Sequence, residues 1–158
     1  MTLREPSHRV SPRARWLWAA GALVQVAVAA GVLMILEAAS PLDLAWWAWA
    51  LVGLALASYV VVMPQWRFLV HRWEITDTAV YTQTGWWTRE RRIAPMSRIQ
   101  TVDHVEGAFA RLLGLATVTV TTASAAGALE IDGLDAGRAR ELVDELTLRA
   151  DAVEGDAT

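Results

Sequence analysis

Two long apolar runs separated by only seven residues constrain this chain more than anything else in its sequence. Residues 16–36 (WLWAAGALVQVAVAAGVLMIL) hold no charge and a single polar side chain, Gln25, and residues 44–63 (LAWWAWALVGLALASYVVVM) repeat the pattern. At about 1.5 Å of rise per residue, a helix of either length spans roughly 30 Å, the thickness of a bilayer's hydrocarbon core. A surface helix of a soluble domain would keep one polar face, and neither run has one. The connector EAASPLD leaves room for a tight turn alone, so an antiparallel transmembrane hairpin is expected over 16–63. A signal peptide also opens with a basic tail before an apolar run, but its apolar region is only about 7–15 residues long.

Tryptophans and charge frame this hairpin. Trp16 and Trp18 open the first run, Trp46, Trp47 and Trp49 open the second, and Trp66 follows it. An indole ring with its N–H favours the headgroup level, so Trp16, Trp18, Trp46, Trp47 and Trp66 read as interfacial anchors. Residues 1–15 form a basic tail with four arginines against one acid, while the connector carries Glu37 and Asp43. Residues 64–98 hold six arginines against three acids. Positive charge collects on the cytoplasmic side, which places both termini and the domain inside and the connector outside. Small residues four apart, Ala27 with Gly31 and Gly53 with Ala57, offer helix-packing faces, with Gln25 as a polar contact between the helices. Neither span holds an acidic, basic or histidine side chain, which argues against an ion or proton path.

After Pro64 the apolar period shortens to two. Phe68–Ile75, Val80–Gln83 and Trp87–Ile93 read as strands, the last two joined at a Thr84-Gly85 turn. Ile99–Val105 reads as a further strand, and Phe109, Leu112 and Leu113 as a short helical turn stopped by Gly114. Residues 116–122 (ATVTVTT) alternate most strictly, with Val118 and Val120 on one face and the threonines on the other. Residues 128–132 (ALEID) form a last strand. Asp135 then caps a helix whose apolar stripe is Ala139, Leu142, Val143, Leu146 and Ala150. Residues 151–158 read as a disordered acidic tail. The expected fold class is an α+β membrane protein: the two-helix hairpin, then an antiparallel β-sheet domain over 64–150 closed by a C-terminal α-helix.

Three segments in this order carry a family resemblance: Pro95 to Val102 (PMSRIQTV), Arg111 to Ser124 (RLLGLATVTVTTAS), and IDGLDAGRA before the last helix. Together they resemble the bacterial PH-like domain family, in particular the small YdbS-like membrane proteins. The resemblance covers residues 72–148, and the two-helix leader matches that family's usual arrangement. It implies a PH-like sheet with a C-terminal helix, on the cytoplasmic side of a bacterial inner (cell) membrane. It brings no catalytic residues, and by analogy it points to envelope maintenance or stress defence.

Residue chemistry points away from catalysis. The chain has no cysteine, which excludes disulfides and Cys-based zinc or iron–sulfur sites. All 14 basic residues are arginine, which removes Schiff-base lysine and P-loop mechanisms. The histidines are His8, His71 and His104. On a strand Asp103 and His104 diverge while His104 and Glu106 share a face, and two donors fall short of the three or four that zinc needs. Ser97 and Ser124 have no base at a spacing that would activate them. Neither an enzyme, a cofactor nor a small-molecule substrate is expected. The net charge past residue 64 is −4, which argues against nucleic acid.

The remaining candidate is a surface for lipid or a protein partner: Trp86 and Trp87 at a hairpin tip, with Arg89 and Arg91 on one strand face and Arg92 on the other. Arginines near an anionic leaflet are each worth about 1 kcal/mol. The alternative is a solvated face in which these arginines pair with Glu90 and one tryptophan folds back on the core. Residues 99–158, with four arginines against eleven acids, are expected to face away from the bilayer. The expected function is a membrane-tethered cytoplasmic PH-like binding or assembly module, acting on lipid, on itself or on another protein. The alternative function is an accessory subunit of a membrane transporter or exporter, docked through the hairpin.

Overall fold

The structure, a computed structural model, describes residues 5–39, 45–123 and 127–155. Two apolar helices of 25 residues each, α1 (Ala14–Ala38) and α2 (Trp46–Val70), pack side by side and are long enough to cross a membrane. Polar pairs hold them in register. The Tyr59 hydroxyl donates to Gln25 Oε1 at 3.0 Å, Trp49 Nε1 to Glu37 Oε1 at 2.8 Å, and Arg15 Nη1 to Gln65 Oε1 at 3.2 Å. Gly31 and Gly53 play no part in this contact, contrary to their spacing: a Cβ added at either would meet nothing within 4 Å. Residues 40–44 of the connector, Asp43 among them, lie outside the described residues.

Helix α2 runs past the limit its sequence suggested. Pro64 lacks an N–H to bond back into the previous turn, yet its fixed φ suits a helix and its ring is fully buried. Residues 68–70 are therefore helical, and the first strand after the hairpin, β2 (Arg72–Ile75), starts only beyond His71.

The basic N-terminal segment is also part of the fold rather than a free tail. Strand β1 (His8–Arg9) pairs antiparallel with β2, and the Ser11 N–H donates to the Gly133 carbonyl at 2.9 Å. Val10 and Ala14 lie in the core. Apolar side chains buried here add hydrophobic stabilisation that a solvated tail would forgo.

Strand β3 (Ala79–Thr84) and strand β4 (Glu90–Pro95) complete a four-stranded antiparallel sheet in the order β1-β2-β3-β4. The connection between them needs Gly85, whose φ is +116° and whose added Cβ would overlap the Thr88 carbonyl oxygen. A 3-10 turn (Met96–Arg98) leads into a second antiparallel sheet of β5 (Ile99–Val105), β6 (Leu115–Thr122) and β7 (Leu129–Asp135). The strands thus form two antiparallel sheets, where the sequence suggested a single one. The short helix α3 (Ala108–Leu112) bridges β5 to β6.

Helix α4 (Ala136–Gly155) packs on β5, β6 and β7, and it continues through residues 151–155, which the sequence assigned to a tail. Asp135 stands directly before α4, and its carboxylate accepts from the Ser11 hydroxyl at 3.1 Å. Val118 and Val120 of β6 and Leu142 and Leu146 of α4 are all 0% exposed. Strict alternation in β6 and the i, i+4 stripe of α4 put these side chains on facing surfaces. Truncating Leu146 to alanine is expected to cost about 2–5 kcal/mol, read as a lower unfolding midpoint of the purified full-length protein.

Candidate membrane-facing site

Where the hairpin meets the domain, Trp18 is the central side chain. Expected as an interfacial anchor, it is instead only 7% exposed, because Ala14, Trp18 and Ala22 recur every four residues on the face of α1 turned inward. The Arg67 guanidinium lies 4.5 Å from its ring centre and the His71 ring 5.7 Å away. Arg67 Nη2 in turn meets Asp132 Oδ2 at 2.8 Å, and the Thr117 hydroxyl donates to Asp132 Oδ1 at 3.1 Å. This chain of contacts runs from α1 through α2 into β7 and ties membrane helices to domain. Trp16, Trp46, Trp47 and Trp66 are exposed.

The β3–β4 tip reaches back along the hairpin. Trp86 meets Tyr59 edge-on at 6.1 Å, and Trp87 packs against Trp86 at 5.9 Å while staying 88% exposed. Tyr59 precedes Arg67 by eight residues, so the tip lies roughly 12 Å toward the apolar part of α2. The four residues expected to form one surface do not do so. Arg89 precedes β4 and is exposed, with no partner among the described residues. Arg91 is turned toward the N-terminal segment, its Nε on Gln83 Oε1 at 2.8 Å and its Nη2 on Glu5 Oε1 at 3.2 Å. A charged side chain held this way satisfies its neighbours and is not presented to lipid.

Between β3–β4 and β7, at the end of α2, lies a polar cleft of about 400 Å³. Its charged lining comprises Arg67, Glu90, Arg92, Glu130 and Asp132, with His71 in the wall. Arg92 bonds Glu90 Oε1 at 2.6 Å and the Ala128 carbonyl at 3.0 Å. Glu130 is exposed and has no ion pair among the described residues. His71 is 2% exposed, and neither ring nitrogen has a hydrogen-bond partner. Burial lowers its pKa from 6.5 to about 4, with Asp132 opposing the shift and Arg67 adding to it. The imidazole is therefore neutral at pH 7.

Other residues singled out by sequence lie apart from this cleft. His8 stacks on Trp73 at 5.1 Å, and His104 Nε2 sits 3.5 Å from Glu106 on the β5 face they share. No grouping of three or more metal-ligating side chains occurs among the described residues. The short helix α3 leaves Phe109 and Leu112 exposed, at 68% and 83%. Sequence missed the cleft because its residues come from α2, β3, β4 and β7. Only Arg67 and His71, one helical turn apart, carried a local signal.

A family model described as the bacterial PH domain matches residues 15–150. The UPF0699 transmembrane protein YdbS of Bacillus subtilis (strain 168) is 28% identical over 153 residues, covering 90% of this chain and 93% of that relative. No solved structure gives a significant match. The family model takes in nearly all of α1, α2, strands β2 to β7 and most of α4, so hairpin and domain form one family unit. This chain belongs to the bacterial PH domain family, as a membrane protein in which two long apolar helices precede a PH-like domain.

Proposed function

We propose that the protein is a non-catalytic, membrane-tethered PH-like module that binds lipid or a protein partner at the cytoplasmic membrane surface. In this reading both termini and the domain are cytoplasmic, as the arginine-rich flanks and the acidic connector favour. The observation that carries it is the seating of Trp86 on Tyr59, with Trp87 88% exposed beside it. Loop tips are ordinarily polar, whereas paired indoles next to a membrane helix suit the headgroup layer.

A photo-crosslinking residue in place of Trp87, in the full-length chain in native membranes, tests the reading. Crosslinks to lipid or to one defined protein are expected. Labelling by neither, in folded protein, would refute it. The whole chain is required because Val10, Ala14 and Trp18 belong to the domain's core.

A second reading, an accessory subunit of a transporter or exporter, draws on an apolar groove of about 560 Å³ between α1 and α2, lined by Trp16, Ala20, Leu23, Val61 and Pro64. A crosslinker in place of Leu23 that captures a membrane protein, while position 87 captures nothing, would move that reading ahead.

A further inference from the structure

We propose that the cleft at the end of α2 is a headgroup site for an amine-bearing phospholipid of the phosphoethanolamine type. This deepens the function proposed above and rests on it. Depth is the first reason. Thr84 and Gly85 line the cleft on the side of the β3–β4 tip, and Arg67 and His71 line it on the side of the domain. Arg67 follows Met63, the end of the apolar run, by four residues, so this part of the cleft lies about 6 Å outward from the apolar span. That is the level of the headgroup layer, which adds roughly 5–8 Å to each side of the hydrocarbon core.

Charge selects the ligand. Two cations, Arg67 and Arg92, face three carboxylates, Glu90, Glu130 and Asp132, while the neutral His71 adds nothing. A net negative cleft disfavours a purely anionic headgroup. Arg67 gives one of its five N–H donors to Asp132 and retains others that suit a phosphodiester oxygen. Glu130, with no ion pair among the described residues, suits an ammonium. A zwitterionic phosphoethanolamine satisfies both at once.

The second, independent observation is His71. A ring 98% withdrawn from solvent with both nitrogens unpartnered is costly, and it stands in the wall of this cleft. As a neutral imidazole it carries one donor and one acceptor behind the cleft lining, both without a partner.

The test is lipid binding to the full-length protein in detergent, followed by native mass spectrometry with phosphatidylethanolamine, phosphatidylglycerol and phosphatidylcholine of matched chains. A preference of about tenfold for phosphatidylethanolamine over both others is expected, the size of one charge-assisted hydrogen bond. Glu130→Gln, at an exposed position that leaves the core untouched, is expected to erase the preference, and Glu130→Arg to turn it toward phosphatidylglycerol. No preference in the unaltered protein, or a preference that survives Glu130→Gln, overturns the assignment. Soluble glycerophosphoethanolamine binding as tightly as the lipid would assign the cleft to a free metabolite and also overturns it. Lipid crosslinking at position 87 with no headgroup preference would sink this inference while leaving the proposed function standing.

Discussion

Replacing Gly133 with alanine is expected to destabilise the protein by about 2–5 kcal/mol and to loosen the domain from the hairpin. Gly133 has a φ of +73°, and an added Cβ would sit 2.5 Å from the Ala14 Cβ. Two costs therefore combine. An L side chain in the left-handed region costs roughly 1–2 kcal/mol, and overpacking a tight contact typically costs another 1–3 kcal/mol. The second cost falls on the joint itself, because α1 touches β7 there and the Ser11 N–H bonds the Gly133 carbonyl. A lower thermal midpoint and faster proteolysis ahead of residue 14 are the expected readouts. Gly137→Ala is the contrasting case: it lies in α4 with nothing within 4 Å of an added Cβ, so a gain of up to about 1 kcal/mol is expected. Equal effects of the two substitutions would show that the tight approach at Gly133 does not govern the joint.

Acidification from pH 7 to pH 4 is expected to remove roughly 3 kcal/mol of stability through His71 alone. Its pKa falls from 6.5 to about 4 on folding, and burial is the chief cause. Between these values the unfolded chain takes up a proton that the folded protein resists. Stability from this group is thus complete above pH 6.5 and is lost progressively as pH falls toward 4. Asp132 and Arg67 are the charged groups acting on the ring, one opposing the shift and the other adding to it. His71→Phe keeps an aromatic ring against Trp18 and removes the titration. Unfolding midpoints across pH 4–7 for both proteins isolate the effect. The unaltered protein should lose stability relative to the variant as pH falls, and parallel curves would show that His71 is not the responsible group.

What the sequence showed and what it hid divide along physical lines. Apolar runs without a polar face announced α1 and α2, and strict alternation announced β6, because burial on a single periodic face leaves a local trace. The stripe of α4 was equally plain. Helix α2 was cut short at Pro64, since proline usually marks an end, but here the ring is buried in a continuing helix. Arginines dominated the reading of residues 1–15, and they masked Val10 and Ala14, two small side chains that dock the segment into the core. Trp18 was assigned to the membrane surface because it stands at the start of the first apolar run, whereas its position one turn after Ala14 turns it toward the domain. Beyond Arg67 and His71 the cleft had no local trace, because tertiary pairing alone brings Arg92 and Glu130 to Arg67.

The most direct test of the account is a single spin label at Trp87→Cys in the full-length protein reconstituted in a bilayer. The chain has no cysteine of its own, so the label reports one site. If the β3–β4 tip sits in the membrane interface, the label will collide with dissolved oxygen more than with a water-soluble nickel chelate. A label at Leu148→Cys, an exposed α4 position in the acidic half, will show the reverse. Equal nickel accessibility at the two positions would contradict the account, because the tip would then stand in water.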